Sequence, residues 1–211
     1  LALEDFTTYT ETDPNNHITV TANKLVVDGM SQNEDVYVYA DKGESHFGAS
    51  FEHTLKHTGR GGNDRGMYWA VSNVVDDYAY WGNQDSQALG IEFWGSYKTH
   101  TLYGFEENSE DDSWGVWAPT DGTPTYITIK RTSETVLQEL LYSDSDRTSL
   151  EDTLAVSVVD GRRFRYVFGC VSNNTGSSKT WIDFDVENLD LNEEAPPPGN
   201  RRRRVLICGA V

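Results

Sequence analysis

Apolar and polar residues alternate with a period of two in short runs along this chain, and turn-forming residues interrupt the runs. Such alternation lays one face of a strand on a core and the other in water. Ile18-Thr19-Val20-Thr21 alternates, and residues 24–27 form a second short run that stops at Asp28-Gly29. Val36-Tyr37-Val38-Tyr39 runs into Asp41-Lys42-Gly43. From His46 to Thr58 one face carries Phe47, Ala49, Phe51, His53, Leu55 and His57, while the other carries Glu52, Thr54 and Lys56. Glycines 59, 61 and 62 follow. Residues 67–71, 89–94, 99–105, 113–117, 125–130, 136–142, 153–159, 163–171 and 180–186 predict further strands. The best helical stretch, residues 73–80, is short and reads as a loop or a single turn. Many short strands without a long 3.6-residue period predict an all-β fold, an antiparallel β-sandwich or barrel.

The strand pattern ends near Leu191, so residues 1–191 form one domain. Residues 192–200 contain Pro196-Pro197-Pro198-Gly199 and read as an extended linker. Residues 201–211 form an arm, in which Arg201, Arg202, Arg203 and Arg204 precede the apolar Val205-Leu206-Ile207-Cys208-Gly209-Ala210-Val211. A β-prone heptapeptide behind a polar linker predicts docking, either on its own sandwich or as an added strand on a second copy.

Charge sharpens that division. The chain carries 17 basic and 34 acidic residues, a formal net charge of −17. Setting aside the four arginines leaves 13 basic residues, a net of −21 for residues 1–200. An acidic body of that kind opposes nucleic acid, because phosphate neutralisation needs an excess of Lys and Arg. No apolar stretch reaches the 18 residues of a membrane span. No charged segment followed by an apolar one opens the sequence, as a secretory leader would. Cys170 and Cys208 allow at most one internal disulfide, and Cys170 reads as a small core residue.

Several segments carry a family resemblance. Leu141-Tyr142-Ser143-Asp144-Ser145-Asp146-Arg147-Thr148-Ser149-Leu150, with Asp152-Thr153-Leu154, resembles a late strand–turn–strand of concanavalin A-like lectin/glucanase domains of the laminin-G-like type, as found in phage and environmental proteins. Pro124-Thr125-Tyr126-Ile127-Thr128-Ile129-Lys130-Arg131 is similar to the strand before it. Asp13-Pro14-Asn15-Asn16-His17-Ile18 and Val186-Glu187-Asn188-Leu189-Asp190 resemble opening and closing segments. The resemblance covers residues 4–191 and implies a jelly roll of two packed antiparallel sheets, usually with non-catalytic glycan or protein binding. Jelly-roll endoglucanases of the superfamily carry Glu-x-Asp-x-Glu on one strand. The matching positions here are Asp183, Asp185 and Glu187, with Asp183 one methylene shorter than that pattern asks. On a straight strand Asp183 and Glu187 lie about 13 Å apart at Cα, whereas a retaining pair brings its carboxyl groups to about 5–5.5 Å. The plainer reading is a solvated strand face whose burial comes from Phe184, Val186 and Leu189.

Other chemistry is thin. His53 and His57 share a strand face but stand too far apart for one metal ion. Calcium is left open, since the resemblance includes calcium binders and oxygen-rich segments occur at residues 11–16, 76–77, 106–112 and 144–146. Tyr78, Tyr80, Trp81, Asn83 and Asp85 combine aromatic and polar groups in a predicted loop, the mixture a glycan platform needs. Together these features predict a non-enzymatic structural or adhesive subunit of an extracellular or virion assembly. Self-association runs through the arm, with Arg201, Arg202, Arg203 and Arg204 on an acidic neighbour and Val205, Leu206, Ile207 and Cys208 sheltered by it. The alternatives are a carbohydrate-binding lectin-like module and, third, an endo-β-glucanase.

Overall fold

The computed structural model describes residues 3–83, 87–106, 109–115, 117, 119–175 and 180–193. These form the strands β1 (Thr10–Thr12), β2 (Ile18–Thr21), β3 (Lys24–Ser31), β4 (Tyr37–Asp41), β5 (Phe51–Gly62), β6 (Arg65–Ser72) and β7 (Ala88–Trp94). They continue as β8 (Thr99–Glu106), β9 (Ser109–Trp114), β10 (Pro124–Ser133), β11 (Val136–Tyr142), β12 (Leu150–Ser157), β13 (Tyr166–Ser172) and β14 (Trp181–Asp190). One helix, α1 (Tyr78–Asn83), lies between β6 and β7. The strands make two seven-stranded sheets. The first has the order β1-β4-β13-β6-β7-β8-β9 and the second the order β12-β11-β10-β5-β14-β3-β2, antiparallel throughout. This is the expected two-sheet sandwich.

Alternation builds the core. Leu25, Val27, Leu55, Ile127, Ile129, Phe184 and Val186 of the second sheet are fully buried, as are Val38, Trp69, Leu89, Ile91, Leu102 and Val167 of the first. Backbone approach is tightest at Gly59, where an added Cβ would stand 2.2 Å from Phe93 Cζ across the sandwich.

A polar seam crosses this core. Tyr68 of β6 donates its hydroxyl proton to Glu139 Oε1 of β11 at 2.5 Å. The same hydroxyl lies 2.6 Å from His100 Nδ1, which therefore carries the donated hydrogen. All three side chains are fully buried, and the Tyr68–Glu139 bond joins the two sheets where no water competes, while His100 braces Tyr68 from within the first sheet. His57 stacks on Tyr68, and His53 accepts a hydrogen bond from Trp69 Nε1 at 3.2 Å. Burial pushes His53 down to about 3, with help from the neighbouring His46 and Lys42 side chains, and lowers His57 in the same direction. Arg131, also fully buried, donates to the carbonyls of Gly48, Arg162 and Glu134. The two histidines of the β5 pattern are thus packing residues.

Helix α1 departs from the expected loop. Asp77 Oδ1 accepts from the backbone N–H of Tyr80 at 2.9 Å and caps its first turn. Asn174 Nδ2 holds the other carboxylate oxygen of Asp77 at 2.6 Å. The helix lies on the outer face of the first sheet, where Trp81 packs on Phe168 and Phe105, and Tyr78 packs on Tyr103 and Phe105.

Candidate functional site

Beside α1 the same outer face stays open. Strands β7, β8 and β9 project Trp94, Thr99, Thr101, Tyr103, Asp112 and Trp114 outward, and Tyr97 joins them from the β7–β8 turn. These side chains line an open groove of about 340 Å³. Register explains the convergence. Trp94 stands opposite Thr99, Thr101 opposite Trp114, and Tyr103 opposite Asp112, so alternate residues of three neighbouring strands share one face. Lys98 adopts φ 58° to close the turn, and its N–H donates to the Trp94 carbonyl at 2.8 Å. That turn brings the Tyr97 ring edge-on to Trp94 at 4.5 Å.

Trp114 is 66% exposed and Tyr97 62% exposed. Large aromatics so exposed form a surface on which an apolar ring face can stack. The Arg65 guanidinium lies 4.5 Å over the Trp94 ring and fixes its tilt. Arg65 Nε is 3.8 Å from Glu92 Oε1, a carboxylate only 1% exposed. Arg65 also donates a hydrogen bond to Tyr103. The groove therefore offers stacking surfaces, threonine hydroxyls and the exposed Asp112 carboxylate as an acceptor.

The segment expected to carry a glycan platform sits elsewhere. Trp81 is 1% exposed and anchors α1 to the sheet, so it is a packing residue and no platform. Tyr78 is half-buried against Tyr103, and Tyr80 is 39% exposed on the helix's outer side. Asn83 is the last helical residue, and Asp85 lies outside the described residues. Tyr103 is where the helix-covered region and the open groove meet.

The carboxylates of β14 share the outer face of the second sheet. Asp185 pairs with Lys24 at 2.7 Å and Arg60 at 2.8 Å; Glu187 pairs with Lys56 at 2.9 Å; Asp183 accepts from the Gly29 N–H at 2.5 Å. Phe184, Val186 and Leu189 are fully buried beneath them. Cations pair with Asp185 and Glu187 and a backbone N–H takes Asp183, so the row is built as a cross-linked strand face.

Asp35, Asp76 and Asp77 bring ligand oxygens within 4.8 Å of one another beside the start of α1. Burial and then the neighbouring carboxylates raise Asp35, and burial chiefly raises Asp76. Three carboxylates from two loops match the hard oxygen donors that calcium takes, so the residues fit the ion left open by the sequence. Sequence reasoning had Asp76 and Asp77 but missed Asp35, which follows an unremarkable turn. Asn173 of Asn173-Asn174-Thr175 is 2% exposed and accepts from Thr175 Oγ1 at 2.7 Å, so its amide is turned inward. Cys170 is buried beside Met30; Cys208, the four arginines and the apolar heptapeptide lie outside the described residues. Among the described residues no helix is long and apolar enough to cross a membrane.

Two packed seven-stranded antiparallel sheets give this chain a jelly-roll fold of the concanavalin A-like kind. No family model and no curated protein matches the sequence. Among solved structures, the chain is similar to a Bacillus licheniformis β-glucanase, with TM-score 0.56 and 7% identity over 89% of this chain and 95% of that one. It is similar to the carbohydrate-binding module CBM66 from Bacillus subtilis, with TM-score 0.51 and 10% identity over 89% and 94%. Arcelin-5, a lectin-like defense protein from Phaseolus vulgaris, superposes with TM-score 0.50 and 12% identity over 86% and 96%. Identities this low carry the fold and nothing finer.

Proposed function

We propose that this protein is a non-enzymatic carbohydrate-binding module that holds a glycan in the groove of β7, β8 and β9. The observation that carries the reading is the aromatic set of exposed Tyr97 and Trp114 with half-buried Trp94, beside Thr99, Thr101 and Asp112. A pyranose ring presents an apolar face to stack and equatorial hydroxyls to hydrogen-bond, and this groove supplies both partners. A carbohydrate-binding module and a lectin-like protein share this fold, which supports the reading. An extracellular setting suits such a module. A glycan array probed with the full chain tests the reading. Binding is expected, and Trp114→Ala weakens it by about tenfold or more, the worth of one lost stacking partner. A blank array, or binding that Trp94→Ala and Trp114→Ala both leave unchanged, removes the proposal.

A second reading keeps the arm as a device for self-association, with another copy of the chain as partner. Its support is the sequence of residues 201–211 and the anchoring of Glu193 ahead of them. Glu193 is clasped there by His46 at 2.7 Å and Lys42 at 3.8 Å. Deleting residues 194–211 is expected to reduce the mass seen by light scattering; an unchanged mass ends that reading.

A further inference from the structure

The charges around the groove narrow its ligand, and this step rests on the glycan-binding reading above. Arg65 lies beside the groove, where its charge is met by Glu92 and its flat face is taken by Trp94. Lys98 in the adjacent turn is tied to Asp121 at 2.5 Å. Asp112 adds a carboxylate among the lining residues and faces the ligand space beside Tyr103 and Trp114. Asp112 is the one charged side chain among the described residues that line the groove, and the nearby cations, Arg65 and Lys98, are each paired with a carboxylate. The groove belongs to a body whose own net charge is strongly negative.

An ionised carboxylate only accepts hydrogen bonds, so it suits hydroxyl donors and opposes another carboxylate or a sulfate. We propose that the groove selects an uncharged, hydroxyl-rich glycan against uronate or sulfated ones, and that Asp112 is the specificity-determining residue. Trp94 and Trp114 hold the sugar by its ring faces, and Asp112 receives its hydroxyl protons. Arg65, paired with Glu92 and stacked on Trp94, props that indole from outside the lining.

The test uses the full chain on soluble β-glucan, mannan and galactan, each as the neutral polymer and as its C6-carboxylated form. Affinity electrophoresis should show retention by at least one neutral polymer and roughly tenfold or weaker retention by its carboxylated twin. Asp112→Asn should narrow that difference by improving binding to the carboxylated form. Trp114→Ala should weaken both. Equal or stronger retention by a carboxylated polymer, still lost in Trp114→Ala, overturns the charge selection while leaving the groove as a glycan site. An unchanged preference in Asp112→Asn overturns the role of Asp112. No retention by any of the six polymers overturns the selection together with the reading beneath it. Asp112 is exposed, and matching thermal melts of the variants confirm that each is folded.

Discussion

Replacing His53 by Asn should flatten the acid limb of this protein's stability curve. His53 is 1% exposed, stacked on Phe51 at 4.5 Å, and accepts a hydrogen bond from Trp69 through Nδ1. Its folded-state value is about 3 against an ordinary 6.5. A depressed value means that the unfolded chain takes up a proton that the folded chain refuses. The associated stability is therefore present above about 6.5 and is lost as the pH falls toward 3. Between pH 7 and pH 4.5 this one group removes about 2.5 kcal/mol, at about 1.4 kcal/mol for each pH unit below 6.5. With a urea slope of about 2 kcal/mol/M, that is a midpoint shift of roughly 1 M. Asparagine keeps an acceptor near the position of Nδ1 but does not titrate. The assay is urea unfolding of both proteins at the two pH values, read as the difference between their pH dependences, so that every carboxylate common to both cancels. Wild type should lose about 2.5 kcal/mol more than the variant. Parallel curves would refute the assignment of His53 as a neutral core residue. His57, lowered by the same burial, should retain its share of the slope in the variant.

Other outcomes follow from single contacts. Gly59→Ala drives a methyl into the Phe93 ring and should cost about 3 kcal/mol in urea unfolding, whereas Gly122→Ala, with open space around it, should cost only its backbone strain. Arg131→Met strips donors from three half-buried carbonyls that a fully buried side chain ties together, and should cost about 3 kcal/mol, or leave the chain unfolded at 37 °C. Asp35→Asn should raise the thermal midpoint in chelator by relieving like charge, and it should abolish a calcium-induced rise seen in wild type; no calcium response in wild type would show that the three aspartates hold no such ion. Soluble β-glucan incubated with the intact protein should release no reducing ends, and activity that Glu187→Gln destroys would reopen the third reading.

Period-two alternation located most of the sandwich because burial on one face is a local property of a strand. The run 136–142 coincides with β11, and the parity assigned to Phe51, His53, Leu55 and His57 is the parity that faces the core. What failed was set by distant partners. β1 has no buried residue of its own and exists by pairing with Tyr37, Val38 and Tyr39. Phe47 lies outside β5 and forms only an isolated bridge to Phe164. Residues 59–62 continue β5 despite three glycines, since Phe93 and the Trp181 backbone leave no room for side chains at 59 and 62. The strand placed at 113–117 is β9, starting at Ser109. Trp81 misled because an aromatic among polar neighbours looks solvent-facing, yet the helix turns it onto the sheet. The usable signal was parity. Trp94 is in phase with the charged Glu92, and Trp114 with the charged Asp112, which places both indoles on the outer face although their strands read as ordinary core strands.

The location of the groove follows from how the two outer faces are finished. The second sheet closes its central outer face with a lattice of Lys24, Lys56 and Arg60 against Asp185 and Glu187, leaving few hydrogen-bonding groups there for a ligand. The first sheet covers its middle with α1, which buries Trp81 and half-buries Tyr78. What remains is the strip from β7 to the edge strand β9. An edge must resist pairing with other chains, and acidic side chains are one means of doing so. Along β9 the two aspartates divide the work by parity: Asp111 accepts from the Ser157 N–H at 2.9 Å and ties the edge to β12, while Asp112 points the other way into the groove. The charge that guards the edge and the charge that selects the sugar therefore arise from adjacent residues of one short strand, and neither can be removed without showing which task it performs.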